Sequence, residues 1–172
     1  MLLTKGERTR SAILETATDL ASQEGLEALS VGRLADATGM SKSGLFAHFG
    51  SKEELHLATV DHAAVIFVRE VIEPARSAPR GIARVWALCD GLLSYLEREV
   101  FPGGCFMYTT VMEFKNRPGP VRDRLIEHLV TWRGYLAHAV GQAQELGELD
   151  GCVNAEGLAF ELNGIGLSLI HI

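Results

Sequence analysis

The segment from residue 30 to residue 52, SVGRLADATGMSKSGLFAHFGSK, constrains the fold more than any other part of the chain. Ala35, Gly39 and Leu45 have the spacing of a helix-turn-helix. The small Ala35 lets a second helix cross the first, Gly39 tolerates the positive φ of a tight turn, and Leu45 anchors the second helix. The outer face of that second helix, led by residues 41–43, is therefore predicted to be free for a DNA groove.

An ordinary helical hairpin without a DNA partner is the alternative interpretation of this spacing. The following residues 46–55, FAHFGSKEEL, extend the match beyond the hairpin itself. A match of this length favours the helix-turn-helix.

Hydrophobic periodicity predicts helices throughout the chain, separated by glycine and proline. Ser30 is the predicted N-cap of the helix that opens the hairpin. Gly25 is predicted to end the first helix in a left-handed cap, and Pro74 to end the fourth. Besides the helix after Ser30, the predicted helices cover about residues 4–24, 41–47, 52–73, 80–100, 105–115, 121–146 and 154 onward. The predicted fold class is all-α.

Two domains are predicted from this order of helices. Residues 1–50 form a three-helix helix-turn-helix domain, and the long helix after Ser51 joins it to a helical bundle formed by residues 51–172. In the bundle, the apolar stripe of the helix over 121–146 is long enough to serve as a helix–helix seam. Small residues in the last helix, among them Gly157 and Gly164, would let another helix approach closely.

The net charge of −6 is unusual for a DNA-binding protein, but it is unevenly distributed. Residues 1–52 contain six Lys or Arg and six Asp or Glu, whereas residues 53–172 contain ten and sixteen. Any basic surface near the hairpin is therefore local. Weak non-specific attraction leaves more of the recognition to positioned contacts.

The sequence contains three widely spaced cysteines and no CxxC pair, which argues against a disulfide framework and fits a reducing cytoplasm. Its N-terminus, MLLTKGERTR, lacks the apolar core of a signal peptide, and the apolar C-terminal stretch is interrupted by polar residues. We therefore expect a cytoplasmic protein with no membrane partner.

No motif for catalysis or cofactor binding is found: the sequence lacks GxSxG, GxGxxG and a P-loop. His56 and His62 are six residues apart, and His128 and His138 ten apart, so neither pair has the spacing of a helical metal site. The sequence therefore predicts no enzyme, no cofactor and no metal site.

The hairpin, the junction FAHFGSKEEL and the first helix with the following Ala28-Leu29-Ser30 resemble the TetR family of bacterial repressors over residues 5–57. The segments 103–105 and 117–122 resemble one subgroup of that family. The resemblance implies a homodimer, paired through its last two helices, that places two hairpins in successive major grooves of a pseudo-palindromic operator. A small molecule bound in the C-terminal bundle would release the DNA.

The resemblance also assigns roles to positions in the hairpin. Ser41, Lys42 and Ser43 fall where the family contacts bases or adjacent phosphates. Contacts to the DNA backbone fall at Ser30, Arg33, Phe46, His48 and Lys52. Phe46 departs from the family, which usually has a tyrosine there, so the phosphate bond of a tyrosine hydroxyl is lost. The alternatives are a solvated lysine at position 42 and structural packing at His48.

A ligand pocket is outlined by aromatic, methionine and small polar residues of the central helices, a composition that suits an apolar cavity with a few polar contacts. The candidates are Phe67, Trp86, Tyr95, Phe106, Met107, Thr110, Trp132 and Tyr135. Aromatic residues at helical spacing are also typical of a packed core, which is the alternative for each of them.

Cys105 follows two glycines at a predicted helix start, where the helix dipole can lower the pKa of a thiol. A reactive sensor cysteine and a small buried residue at a tight turn are the two interpretations, and the second is favoured because cysteine is often buried.

The family usually continues beyond the helix that ends this sequence, so the last helix is predicted to be shortened. Two other functions compete with the ligand-responsive regulator. One is an all-helical enzyme or small-molecule binding protein with an incidental helix-turn-helix. The other is a DNA-binding protein whose bundle binds no ligand.

Overall fold

The computed structural model describes residues 4–169, which fold into helices without a strand. The helices are α1 (Lys5–Glu24), α2 (Val31–Thr38), α3 (Lys42–Phe46), α4 (Lys52–Phe67), a π-helical segment (Val68–Ile72), α5 (Glu73–Ala75), α6 (Ile82–Glu97), α7 (Phe106–Phe114), α8 (Pro120–Glu145) and α9 (Ala155–Leu169). This confirms the predicted all-α fold class, an N-terminal helix-turn-helix followed by a helical bundle. Predicted helix ends differ from the observed ones by up to three residues, the usual uncertainty at frayed ends.

Packing divides the helices into two compact units. The first unit contains the chain up to Ala64 together with residues 101–125, so α7 packs with the helix-turn-helix. The second contains residues 65–100 and the chain from Ile126 onward. The division of the chain into a DNA-binding domain (1–50) and an effector domain (51–172) concerns function rather than packing, and it stays a prediction.

The helix-turn-helix forms as its sequence predicts. The Ser30 Oγ atom caps α2 by accepting a hydrogen bond of 3.1 Å from the Arg33 backbone N–H. Gly39 ends α2 in the left-handed conformation, with φ 68° and ψ 13°. Ala35 and Leu45 are buried between the two helices, and Phe49 is buried beyond them. The recognition helix α3 is therefore held from one side only.

Two details of the helix ends differ from the prediction. Gly25 ends α1 with a positive φ of 90°, but its ψ of 149° lies outside the left-handed helical region. The chain therefore leaves α1 extended instead of curling into a left-handed cap. Glycine is still needed there because other residues rarely adopt a φ of this value.

The predicted end of the fourth helix at Pro74 is wrong, since the helical chain continues to Ala75. A proline ring clashes with the carbonyl four residues earlier and offers no N–H. Here the chain widens into a π-helical turn over Val68–Ile72, where the Glu73 N–H bonds to the Val68 carbonyl five residues back. The wider turn accommodates the proline ring. The helical chain from α4 to α5 is therefore not α-helical throughout.

In the second unit, α6 approaches the π-helical segment closely at Gly91. A Cβ atom added to Gly91 would lie 3.2 Å from the Val71 carbonyl oxygen. The core around this contact is apolar and contains Val71, Ile72, Val85, Leu88, Leu92, Leu136 and Val140. No helix within residues 4–169 combines the length and the apolar character that crossing a membrane requires.

Candidate functional site

The recognition helix exposes the three residues that the sequence analysis assigned to base or phosphate contacts. Ser41, Lys42 and Ser43 are all exposed, whereas Leu45 is buried on the opposite side of α3. The Ser41 Oγ atom caps α3 by accepting a hydrogen bond of 3.1 Å from the Gly44 N–H. It also lies 3.2 Å from the Ser43 Oγ atom, so the two hydroxyls form one polar patch.

Lys42 lies beside the N-terminus of α2. A Cβ atom added to Gly32 would be 3.7 Å from the Lys42 Nζ atom. The first turn of a helix carries partial positive charge from its unbonded N–H groups. The ammonium group and this helix end therefore produce a local positive surface in a domain with no net positive charge.

Arg33 and Lys52, assigned to the DNA backbone, are both engaged by acidic residues. The Arg33 Nε atom donates to Glu24 Oε2 at 3.0 Å, and this contact lowers the pKa of the Glu24 carboxyl. The Lys52 Nζ atom donates to the Glu27 carbonyl at 2.8 Å and lies 3.1 Å from its Oε1 atom. A DNA phosphate would have to share these cations with the two carboxylates. Exposed pairs of this kind are weak enough to exchange.

The two remaining backbone candidates lie at the end of the recognition helix. Phe46 is 51% exposed, which is high for a phenylalanine and leaves the ring available to a partner. His48 is half-buried, and its carbonyl accepts a hydrogen bond from the Arg10 guanidinium. That guanidinium also lies 4.4 Å from the centre of the Phe49 ring, a cation–π contact. Arg10 thus fixes the segment after α3.

Sequence reasoning did not identify this role of Arg10. Its partners are 38 and 39 positions away, so no local spacing connects them. One signal could have indicated this contact. It is the combination of an arginine in the first helix with an aromatic residue after the second helix of the hairpin.

The effector candidates in the second unit form an aromatic cluster. The Phe67 ring packs edge-to-face on Tyr95 and on Trp132, with ring centres 5.4 Å and 5.1 Å apart. The Trp132 indole N–H donates to the Asn163 Oδ1 atom at 3.1 Å. Asn163 is a buried amide that sequence reasoning missed, because it was noted only as a polar interruption of an apolar stretch. The cluster is well packed and carries a polar group at one edge.

Two further candidates in the second unit have surroundings of their own. Trp86 is 65% exposed and so lies on the surface of this chain, away from any interior cavity. The side of α6 that faces the core carries Val85 and Leu88 instead. These residues come one position before and two positions after Trp86. The Tyr135 hydroxyl accepts a hydrogen bond of 3.1 Å from Arg76, so it takes part in a polar contact.

The remaining effector candidates belong to the first unit, where they lie together on α7. Phe106, Met107 and Thr110 are all buried. The Thr110 hydroxyl donates to the Phe106 carbonyl at 2.7 Å, within the same helix. The structure therefore separates the eight candidates into two groups, three in the first unit and five in the second.

Cys105 occupies the N-cap position of α7 and is 2% exposed. A thiolate nucleophile needs access to its target, so this burial favours the packing interpretation over the sensor. Among the residues described, no three His, Cys, Asp or Glu side chains are grouped as a metal site requires.

The loop between α1 and α2 is held by the side chain of His56 in α4. The His56 Nε2 atom donates to the Leu29 carbonyl at 3.0 Å, and the ring packs edge-to-face on Phe114. Burial lowers the pKa of His56, partly offset by the hydrogen bond to Leu29. His56 is 3% exposed, so its neutral form is the one that the fold accommodates.

This burial predicts a loss of stability in mild acid. Above a pH of about 6.5, His56 is neutral in both states and contributes fully. As the pH falls below that value, the unfolded chain binds a proton that the folded chain resists, so the free energy of unfolding decreases, by at most about 1.4 kcal/mol per pH unit for one group. Urea titrations at pH 7.5 and 5.5 measure this decrease.

The His56→Gln variant is the control, because glutamine keeps an N–H donor for the Leu29 carbonyl and does not titrate. The other five histidines are present in both proteins, so the difference between the two pH profiles reports His56. An equal loss of stability in both proteins would contradict the assignment.

Comparison with protein families identifies the chain. Residues 13–59 match the family described as "Bacterial regulatory proteins, tetR family". Residues 81–172, more than half of the chain, match "Tetracyclin repressor-like, C-terminal domain". The chain belongs to the TetR family. The resemblance seen in the hairpin residues is therefore confirmed, and it extends through the C-terminal bundle.

Individual relatives resemble the chain to different extents. The HTH-type transcriptional repressor AcnR of Corynebacterium efficiens is 39% identical over 69 residues, which is 40% of this chain. That match spans only 37% of the length of AcnR. The HTH-type transcriptional repressor ComR of Escherichia coli is 28% identical over 171 residues, covering 93% of this chain and 78% of ComR.

Solved structures have the same fold. A TetR transcriptional regulator from Chloroflexus aurantiacus has a TM-score of 0.90 and 27% identity, covering 98% of this chain and 85% of its own. AibR, solved in complex with isovaleryl coenzyme A and operator DNA, has a TM-score of 0.76 and 24% identity, covering 95% of this chain and 86% of AibR. At that identity the likeness to AibR concerns the fold alone. The chain thus shares its fold with these proteins along nearly its whole length.

Proposed function

We propose that this chain is a repressor that binds a pseudo-palindromic DNA operator as a homodimer and is released by a small molecule. It acts in the cytoplasm, where the DNA is. The observation that carries the proposal is the one-sided burial of α3, which hides Leu45 and presents Ser41, Lys42 and Ser43 to solvent. A recognition helix needs this arrangement to enter a major groove.

Charge and exposure support the division of roles within the DNA interface. Lys42 supplies a cation beside the open N-terminus of α2, which suits a phosphate or a guanine edge. The paired cations Arg33 and Lys52 contact the backbone only by exchanging carboxylate for phosphate. Phe46 contributes apolar contact without a hydroxyl. Affinity is therefore modest for one copy and depends on two copies binding together.

Exposed apolar residues on the last two helices support the homodimer. On α8, Ile126 and Val130 are exposed one turn apart. On α9, Phe160 and Ile165 are exposed, with the small residue Gly164 beside them. Large apolar side chains that stay exposed are candidates for an interface, and small residues let helices approach. The second copy of this chain covers these helices.

The aromatic cluster of the second unit supports an effector with an apolar part and a polar end. Phe67, Tyr95 and Trp132 offer apolar surface, while Asn163 offers a polar group at one edge. Because these rings pack against each other, an effector enters by displacing one of them. AibR, a relative in fold, was solved with an acyl coenzyme A, and a small organic molecule is the class of effector proposed for this chain.

A mobility-shift assay tests the proposal. The purified chain is used to select a duplex from a random-sequence library, and the labelled duplex is then competed with itself and with random duplex. We expect only the selected duplex to compete at low excess. Failure to select any sequence would contradict the proposal and favour an all-helical binding protein or enzyme. Thermal-shift measurement with a metabolite panel separates an effector-responsive bundle, stabilised by at least one compound, from a bundle that binds none.

A further inference from the structure

The loop of residues 25–29 connects α1 and α2, and residues from other parts of the chain contact it at several points. The Glu113 carboxylate on α7 accepts hydrogen bonds from the backbone N–H groups of Leu26 and Glu27, each at 2.9 Å. These contacts join residues more than 80 positions apart in the sequence. Hydrogen bonds from backbone N–H groups to a charged acceptor are stronger than neutral ones.

The surroundings of Glu113 fit this contact closely. A Cβ atom on Gly25 would lie 3.2 Å from the Glu113 Oε1 atom, so glycine leaves room for the carboxylate. Two positions after Gly25, the Glu27 carboxylate forms ion pairs with Arg117 at 3.1 Å and with Lys52 at 3.1 Å. The loop is therefore fastened to α7 and to the segment after it through both its backbone and a side chain.

This loop leads directly into the helix-turn-helix. Leu26 and Leu29 are fully buried, and Ser30, which follows, is the N-cap of α2. A shift of the loop would move the start of α2, and α3 packs on α2 through Leu45. Glu113 thus holds the helix-turn-helix at its entrance, away from the surface proposed to contact DNA.

The same nine-residue helix also carries three of the proposed effector residues. Thr110 is three positions before Glu113, and Phe106 and Met107 are one turn further back. Any displacement of these side chains moves α7 as a whole, because a helix of this length is a single rigid element. The Glu113 carboxylate would move with it.

We propose that Glu113 is a positioning residue that couples α7 to the DNA-binding helices. With both hydrogen bonds in place, the loop and α2 stand in the position that binds operator. When α7 moves, the bonds to Leu26 and Glu27 break and the position is lost. This inference rests on the proposed function, because it specifies how one element of the chain regulates operator binding.

Replacement of Glu113 by alanine and by glutamine tests the inference. Alanine removes both acceptors, while glutamine keeps one acceptor oxygen. We expect operator affinity, measured by fluorescence anisotropy, to fall about tenfold for Glu113→Ala and about threefold for Glu113→Gln. Affinity for random duplex should stay the same or rise slightly, since a negative charge is removed. Amide exchange at Leu26 and Glu27, measured by mass spectrometry, should accelerate in the same order.

Two control variants change residues that resemble Glu113 in position or in charge but do not bind the loop of residues 25–29. Met112→Ala changes an exposed neighbour on the same helix, and Asp123→Asn removes an exposed negative charge from the same unit. Both should keep wild-type operator affinity. All affinities are measured at least 20 °C below each variant's melting temperature, so that unfolding does not contribute.

The outcomes separate the two levels of the proposal. A wild-type chain without a preferred duplex overturns the proposed function and this inference with it. A wild-type chain that binds operator, together with folded variants that exchange faster at residues 26 and 27 but bind operator equally well, overturns the inference alone. If Glu113→Ala does not fold, the Glu113→Gln variant decides: unchanged operator affinity contradicts the coupling, and a specific loss supports it.

Discussion

The Gly103→Ala variant is expected to melt about 6 to 12 °C below the wild-type chain. A Cβ atom at position 103 would lie 1.9 Å from the Ser22 carbonyl oxygen and 2.7 Å from the Gln23 backbone nitrogen. Neither backbone atom can turn aside as a side chain would. The Gly103 N–H also donates to the Ser22 Oγ atom at 3.1 Å, and this bond would stretch. Overpacking against backbone costs roughly 3 kcal/mol, which gives the stated shift for a chain of this size.

Gly6→Ala is the matched control for this measurement. Gly6 lies in the first turn of α1, and a Cβ atom added there would meet nothing within 4 Å. Alanine is the better helix former, so the control should melt at or slightly above the wild-type temperature. Scanning calorimetry of the three proteins decides the matter. Equal melting temperatures for Gly103→Ala and wild type would refute the close packing of α1 on the segment before α7.

The Lys42→Ala variant is expected to bind operator about a hundredfold more weakly than the wild-type chain. Lys42 is exposed on α3 and stands beside the N-terminus of α2, in a domain with no net positive charge. A lysine contact of this kind contributes about 1.4 kcal/mol for each half-site, or tenfold, and the homodimer makes it twice. Fluorescence anisotropy with the selected duplex at several salt concentrations measures the loss.

Lys115→Ala removes the same charge from an exposed position at the end of α7 and serves as the control. Its operator affinity should be that of the wild type. The salt dependence distinguishes the two roles of Lys42. A phosphate contact reduces the slope of affinity against salt and weakens random duplex as well, whereas a base contact weakens only the selected duplex. Wild-type affinity in the Lys42 variant would remove this residue from the interface.

Local chemistry explains which features of the fold could be predicted from the sequence. The cap at Ser30 and the positive φ of the turn at Gly39 depend on residues within four positions of one another, and both formed as predicted. The outcome at Pro74 depended on more than the local sequence. Proline normally ends a helix, but a π-helical turn before it accommodates the ring, and the helical chain continues.

Contacts between distant residues account for what sequence reasoning missed at the candidate site. Arg10, Asn163 and Glu113 each bind groups more than 30 positions away, so no periodicity or motif connects them with their partners. Trp86 shows a different limit of sequence reasoning. Its aromatic ring suggested a cavity, but Trp86 is 65% exposed and the buried face of α6 carries Val85 and Leu88. Amphipathic phase, more than residue type, decides burial.

The balance of charges in the first unit explains why pairing of two copies is central to the proposed mechanism. Arg33 and Lys52 are engaged with Glu24 and Glu27, so few cations face DNA without a competing carboxylate. A single hairpin then gains little from the phosphate backbone, and specific binding requires two half-sites held at a fixed distance.

Anisotropy titration of three duplexes tests this central claim most directly. The first carries both half-sites of the selected operator, the second has one half-site scrambled, and the third has about five base pairs inserted between them, which rotates one half-site by roughly half a turn. We predict two chains per intact duplex and a loss of affinity of at least a hundredfold for both altered duplexes. Equal affinity for all three, with one chain bound to each, would contradict a dimeric repressor.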